Sequence, residues 1–401
     1  MEIRYRKTIT SGEMGEIAKR ASSPLDELWK TQWINDAITG AGERLLSDVK
    51  AKAAEFSASC DTVILVCGQK DEPSIKACLS AVPHEDGRPD VIVFCPSLSP
   101  KDYSDMFRSV EGRKAGLIAV CSAKDDLALR ASYAVVKNYV FSRASKEGYI
   151  PAVAAVTSRT DNSIAKDAAE NEYDTFFLPE GTDPLFLANT AAVLLPVEIT
   201  SGKGSEYLAS FSAMVSSTGW DRDYPAAGLY IAENIRSAAG SPPARTPRPA
   251  VVTWQREYEP FARWAANFGC VPVFMPNGSN NNDSASKNNG ASIGNLSKND
   301  SASKDNCSSK DNLAAKSGFD LLLMAEEPDE DVMTPPFEGC DPDGSLARLL
   351  LSEAEHDFFD EAANSGKNGA WAYEKTQNAA SAGEIAAFMQ MTFGIVNNIL
   401  E

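Results

Sequence analysis

The feature that most restricts this chain is a repeated alternation of short, wholly apolar runs with longer stretches of helical spacing. The runs are DTVILVCG (61–68), DVIVFCPS (90–97), AGLIAVCS (115–122), IPAVAAVT (150–157) and DTFFLPE (174–180). Between them stand SIKACLSAV, KDYSDMFRSVEG, DDLALRASYAVVKNYVFSRASKEG and SIAKDAAENE. A strand with one wet face alternates apolar and polar residues. A run that is apolar at nearly every position is buried on both faces, so helices must cover both sides of a parallel sheet. Crossovers in such a sheet are right-handed. The pattern predicts one doubly wound α/β domain over residues 58–205.

The flanks read differently. In residues 1–57, SPLDELWKTQWINDAITGAGERLLSDVKAKAAEF has helical apolar spacing and no strand signal, which predicts an N-terminal helical arm. The Pro/Gly-rich stretch SAAGSPPARTPRP (237–249) marks a boundary. Beyond it the alternation restarts, with strands at PAVVTW, VPVFMP and FDLLLMAEE and a helix at EYEPFARWAANFG. Two amphipathic helices follow, SLARLLLSEAEHDFFDEAANSG and SAGEIAAFMQMTFGIVNNILE, with a short strand GAWAYEK between them. A second α/β domain over 206–401 is expected. It is interrupted at 277–317 by a segment rich in Asn, Ser, Asp and Lys, in which Ser-Ala-Ser-Lys recurs at 284–287 and 301–304. Such a composition cannot bury enough apolar area to offset chain entropy, and it predicts a disordered loop insertion.

Charge and side-chain inventory remove several classes of function. The chain carries 38 Lys+Arg against 56 Asp+Glu, a net charge of -18. That balance excludes a bulk nucleic-acid partner and disfavours an anionic membrane surface. No apolar run approaches the ~20 residues needed to span a bilayer. The first residues lack the apolar stretch of a signal peptide, so a reducing cytoplasmic location is expected. None of the eight cysteines forms a CxxC pair or has a His at zinc-ligand spacing, so no metal site is expected. Cys67, Cys95 and Cys121 each end an apolar run and read as buried thiols. The Asn-x-Ser sequons at Asn277, Asn282, Asn295, Asn299 and Asn306 are a by-product of the insertion's composition. The two histidines, His84 and His356, read as surface or packing residues.

One block carries a family resemblance. EYDTFFLPEGTDPLFLANTAAVLLPVEI (172–199) resembles the first-domain exit of the phosphoglucose isomerase family, where a Tyr-x-Thr-Phe-x-x-Pro strand leads through a Gly-Gly-Arg turn to a helix ending in Leu-Leu-Pro. DTVILVCG, DVIVFCPSLSP and LIAVCSAKDD match the order and spacing of that family's sugar-isomerase (SIS) core. AVVTWQREYEPFARWAANFG and FDLLLMAEEPDEDVMTPPFEGCDPDGSLARLLLSEAEHDFF are similar to its second domain. The resemblance covers most of 58–276 and 319–398. It implies two tandem flavodoxin-like SIS domains, a homodimer, and interconversion of glucose 6-phosphate and fructose 6-phosphate by ring opening and proton transfer, with no cofactor. That chemistry needs donors for a phosphate dianion, a Glu base, a positive group beside the enediolate and ring-opening groups.

The departures from the family pattern gather where that chemistry belongs. The family's Gly-x-Gly-Gly-Ser turn reads Cys67-Gly68-Gln69-Lys70-Asp71-Glu72-Pro73-Ser74, with one glycine and added charge. Its Ser-Lys-Ser-Gly-Thr-Thr cradle reads Cys121-Ser122-Ala123-Lys124-Asp125-Asp126. Two carboxylates facing a phosphate would repel it by about 4 kcal/mol per unit-charge pair at 4 Å. At a helix start Asp125 and Asp126 serve better as caps. The Gly-Gly-Arg turn reads Glu180-Gly181-Thr182-Asp183-Pro184, without arginine. No Glu stands between 277 and 325 to match the family's base. The ring-opening His falls near Asn364-Ser365-Gly366-Lys367-Asn368-Gly369, and the family's C-terminal Lys has no match before Glu401.

No catalytic residue is therefore assigned. Gly68, Ser122, Lys124 and Gly181 remain as candidate ligand-binding residues for a sugar phosphate or other small molecule. The expected function is a catalytically degenerate isomerase homologue with a binding or scaffolding role. One alternative is an active glucose-6-phosphate isomerase using Glu180, Glu326, Glu327 or Lys367. Another is a sensor of a non-phosphorylated or cationic ligand in an acidified cleft.

Overall fold

The computed structural model describes residues 2–5, 12–13, 15–17, 41–95, 99–123, 127–158, 162–179, 181–216, 250–253, 255–268, 270–274, 319–327 and 368–400. The chain starts with β1 (Glu2–Tyr5) and resumes at α1 (Ala41–Ser59). It continues through β2 (Thr62–Cys67), α2 (Glu72–Ser80), β3 (Asp90–Phe94), α3 (Pro100–Ser109), β4 (Ala115–Cys121) and α4 (Leu127–Glu147). β5 (Val153–Ser158), α5 (Ser163–Glu170), β6 (Asp174–Leu178), α6 (Ala191–Ser201) and α7 (Gly204–Ser216) complete the first half. The second half holds β7 (Ala250–Thr253), α8 (Glu259–Ala265), β8 (Val271–Phe274), β9 (Phe319–Glu327), β10 (Asn368–Thr376) and α9 (Ala379–Leu400).

The first sheet has the order β3-β2-β4-β5-β6, and every pairing in it is parallel. Its three inner strands, β2, β4 and β5, are buried at every position, whereas the edge strands β3 and β6 are partly exposed. This is the outcome the continuous apolar runs require. Val63, Leu65 and Cys67 face α1, α2 and α6, while Ile64 and Val66 face α3, α4 and α5. Two apolar layers thus sandwich one sheet. Gly116 on β4 allows α1 to lie close, because a Cβ there would stand 2.8 Å from the Phe56 ring.

The second sheet has the order β1-β10-β9-β7-β8. β7, β8, β9 and β10 are parallel and repeat the strand order of the first sheet. The fifth position is filled by β1, antiparallel to β10 with Glu2 opposite Tyr373 and Tyr5 opposite Ala370. This corrects the expectation that residues 1–57 hold no strand. EIRY is too short to carry a periodic signal of its own, and its pairing comes from the exposed edge of β10. The helix α1 does lie where helical spacing placed it. EYEPFARWAANFG is a 3-10 turn, a short α-helix and a second 3-10 turn. GAWAYEK lies within β10. The helix expected over 345–366, His356, Lys367 and the insertion 277–317 lie outside the described residues.

The two halves share one apolar core that runs from Ile17 to Phe393. Its centre is α6, the Leu-Leu-Pro block, all eleven residues of which are buried. A helix apolar on every side has no wet face and must lie inside. Its single acid, Glu198 in the last turn, accepts from the Gly204 N–H at 2.9 Å. Thr190 caps the start of α6 and Gly202, at φ 66°, ends it. α9 returns from the second half to pack on α7. The contact is so close that a Cβ on Gly383 would stand 2.2 Å from the Tyr207 carbonyl oxygen. Trp264 Nε1 donates to the Leu185 carbonyl at 3.0 Å, and the Ala188 N–H donates to Gln390 Oε1 at 3.1 Å. The Phe268 and Phe393 rings stack with centroids 4.1 Å apart. No helix among the described residues is long and apolar enough to cross a membrane.

Candidate functional site

In a doubly wound sheet, a crevice opens at the carboxyl ends of the strands where the chain order reverses. Here that point lies between β2 and β4, because β3 sits on one side of β2 and β4 on the other. β2 delivers Gly68 to the crevice and β4 delivers Ser122. α2 starts beside them, with Glu72 and Pro73 in its first turn.

The residue that brings these elements together is Asp71. It occupies the position before α2, where an aspartate normally accepts from its own helix's first N–H groups. Its backbone is already helical (φ -77°, ψ -34°), and its side chain makes no capping bond. The carboxylate turns across the crevice, where the Ser122 hydroxyl donates to Oδ1. The backbone N–H groups of Ser122 and Gly68 also hold it. Asp71 is 4% exposed and Ser122 5%. Gly68 leaves room for the carboxylate, since a Cβ there would lie 3.1 Å from Oδ2.

Burial dominates the titration of this group. It pushes the Asp71 carboxyl up to about 6, against the opposing pull of the Ser122 hydroxyl and the two N–H donors. The acid remains largely ionised at neutral pH. Ser74, fully buried one turn into α2, places its hydroxyl 3.2 Å from the Asp71 carbonyl and 3.4 Å from the Pro184 carbonyl. That contact draws the segment after β6 back towards α2. At the end of β5, Asn162 Nδ2 donates to Thr157 Oγ1 at 2.7 Å while its Oδ1 caps α5 through the Ala165 N–H.

Of the four residues expected to bind ligand, Gly68 and Ser122 meet at Asp71. Gly181 does not join them: it is an exposed turn residue at φ 78° with no atom within 4 Å of where a Cβ would stand. Lys124 lies outside the described residues, as do Asp125, Asp126 and Glu180. Glu72 forms an ion pair with Lys76 along its own helix. His84 is exposed and pairs with Asp90 at 3.1 Å. Asp90 starts β3, so this pair sits at the opposite end of the sheet from the crevice. Sequence reasoning does not single out Asp71, because an aspartate before Glu-Pro reads as an ordinary cap.

A concavity of about 620 Å³ lies between α2 and α8, lined by Glu72, Lys76, Arg256, Glu257, Glu259 and Arg263 among others. Its charges are balanced, and two of its cations are paired, Lys76 with Glu72 and Arg263 with Glu259. The thiols near the crevice are poor nucleophiles. Cys67 and Cys121 are buried, and burial pushes the Cys67 thiol well above its usual value and that of Cys95 up to about 12. Among the described residues Ser122 has no imidazole beside it, and its hydroxyl proton is committed to a carboxylate. Among the described residues no group of three or more His, Cys, Asp or Glu could hold a metal ion.

No protein-family model matches the chain. Over 160 residues, 38% of its length, it is 19% identical to a glucose-6-phosphate isomerase of Acetivibrio thermocellus, and the aligned stretch spans 36% of that enzyme. A solved structure from Thermus thermophilus, described only as a hypothetical protein, superposes with a TM-score of 0.70 at 14% identity, covering 96% of this chain and 89% of its own. A glucose-6-phosphate isomerase from Chlamydia trachomatis superposes with a TM-score of 0.68 at 12% identity, covering 99% and 83%. The chain therefore resembles a glucose-6-phosphate isomerase in sequence over part of its length and shares the α/β fold of one in structure.

Proposed function

We propose that this chain is a phosphosugar isomerase-like protein that keeps the two-sheet frame and acts by binding, without aldose–ketose isomerisation. One observation carries the reading. At the switch-point crevice, the hydroxyl and N–H donors suited to an incoming anion converge on the chain's own Asp71. The turns that resemble the family's reactive segments supply neither its arginine nor its glutamate. A small molecule is the natural partner for such a crevice, and the family likeness suggests self-pairing in the cytoplasm. A coupled assay with fructose 6-phosphate is expected to show no turnover above background. A rate in the ordinary enzyme range of ~1–10³ s⁻¹ would overturn the proposal.

One placement favours a second reading, that of an active isomerase. Glu326 and Glu327 end β9 at the carboxyl edge of the second sheet, past the end of β7, with Glu327 opposite Thr376 of β10. If turnover were found, Glu326→Gln and Glu327→Gln would tell whether either acid supplies the base: loss of at least about a hundredfold in kcat is the expected signature.

A further inference from the structure

We infer that Asp71 is a built-in occupant of an oxyanion cradle and that it sets the specificity of the crevice by excluding phosphate. The inference rests on the binding role proposed above and names what that crevice refuses. Three separate features of the structure support it. The donors come from different elements: the turn after β2 supplies the Gly68 N–H, and the end of β4 supplies the Ser122 N–H and hydroxyl. Donors converging from two strand ends on one carboxylate form a cradle for an oxygen anion, and its present occupant is a side chain. Asp71 also gives up the local role its position offers, since it does not cap α2. Finally, the arrangement is not a device for stability. A carboxyl held at about 6 is less stable ionised in the folded protein than in the unfolded chain.

Geometry and charge both oppose an incoming phosphate. Its oxygens would need the donors that Asp71 already uses, in a space where even a Cβ on Gly68 would crowd Oδ2. Among the described residues, the nearby ionisable groups do not reverse this. Glu72 adds negative charge, Lys76 is paired with it, and the Cys67 and Cys95 thiols stay protonated at neutral pH. The ligand classes left to the wild-type crevice are uncharged or cationic molecules, not sugar phosphates.

The test is a gain of binding. Full-length wild type, Asp71→Gly and Asp71→Ser are titrated with inorganic phosphate at pH 7.5 by calorimetry, with sodium chloride at matched ionic strength as the control. Vacating the cradle is expected to tighten phosphate binding at least tenfold in both variants, and Ser122→Ala added to either should abolish the gain. If every folded variant binds phosphate no better than wild type, the inference fails. Asp71→Ser retains a small polar side chain for the case in which the glycine variant does not fold. The isomerase assay is read separately. Turnover by wild type would sink the proposed function, yet the inference would stand if the Asp71 variants still gained phosphate.

Discussion

The joint between the two halves and the crevice at the end of the first sheet are built on opposite principles. At the joint, α6, α7 and α9 meet through apolar side chains and one glycine, so close packing fixes the geometry. At the crevice, a carboxylate is enclosed at 4% exposure and held by hydroxyl and N–H donors. The joint gains from burial; the crevice tolerates it. A closely packed frame can carry a locally unfavourable group.

The contrast can be broken first at the joint. Gly383→Val inserts a branched side chain where a single Cβ already meets the Tyr207 carbonyl at 2.2 Å. The expected loss exceeds about 3 kcal/mol, read as a fall in the urea unfolding midpoint, with both halves loosened together.

At the crevice the same kind of measurement should move the other way. The folded protein holds the Asp71 proton more tightly than the unfolded chain, with a folded value of about 6 against an ordinary 3.8. Ionised Asp71 therefore costs stability, from nothing below about pH 4 to its full value above about pH 6. Asp71→Asn removes that cost while keeping an oxygen for Ser122. It is expected to stabilise the protein by up to about 3 kcal/mol at pH 7 and by little at pH 4. A destabilised Asn variant at pH 7 would show the carboxylate to be a structural asset and undo the contrast.

The smallest expected effect sharpens it. Ser122→Ala deletes the hydroxyl that donates to the carboxylate, and should cost about 2 kcal/mol at pH 7 but less at pH 4, where a neutral acid depends less on that donor. The same change should raise the Asp71 titration further above 6, visible by following the carboxyl resonance with pH.

Legibility in the sequence follows the same division. The first sheet is readable because β2, β4 and β5 are buried on both faces, which forces apolar residues at consecutive positions. α6 is readable as a block because a wholly buried helix tolerates little but apolar residues. β1 is not, since four residues on an edge take their structure from β10. The crevice is half readable. Gly68 and Ser122, named from the family resemblance, lie at strand ends beside Asp71, and Gly181, named on the same grounds, lies in an exposed turn. Asp71 escapes notice because capping and burial both call for a short acid at that position. Only the direction of its side chain separates the two, and direction is set by the neighbouring strand.

The antiparallel pairing of β1 with β10 joins residues some 370 positions apart in the chain. Closing so long a loop adds little to the equilibrium cost, because each doubling of length adds only about 0.6 kcal/mol. The burden falls on timing. During synthesis the first sheet can assemble from neighbouring segments, while the initial strand must wait for its partner to emerge. Under tension applied at that strand, an edge with a single partner is expected to detach from β10 before the inner strands part.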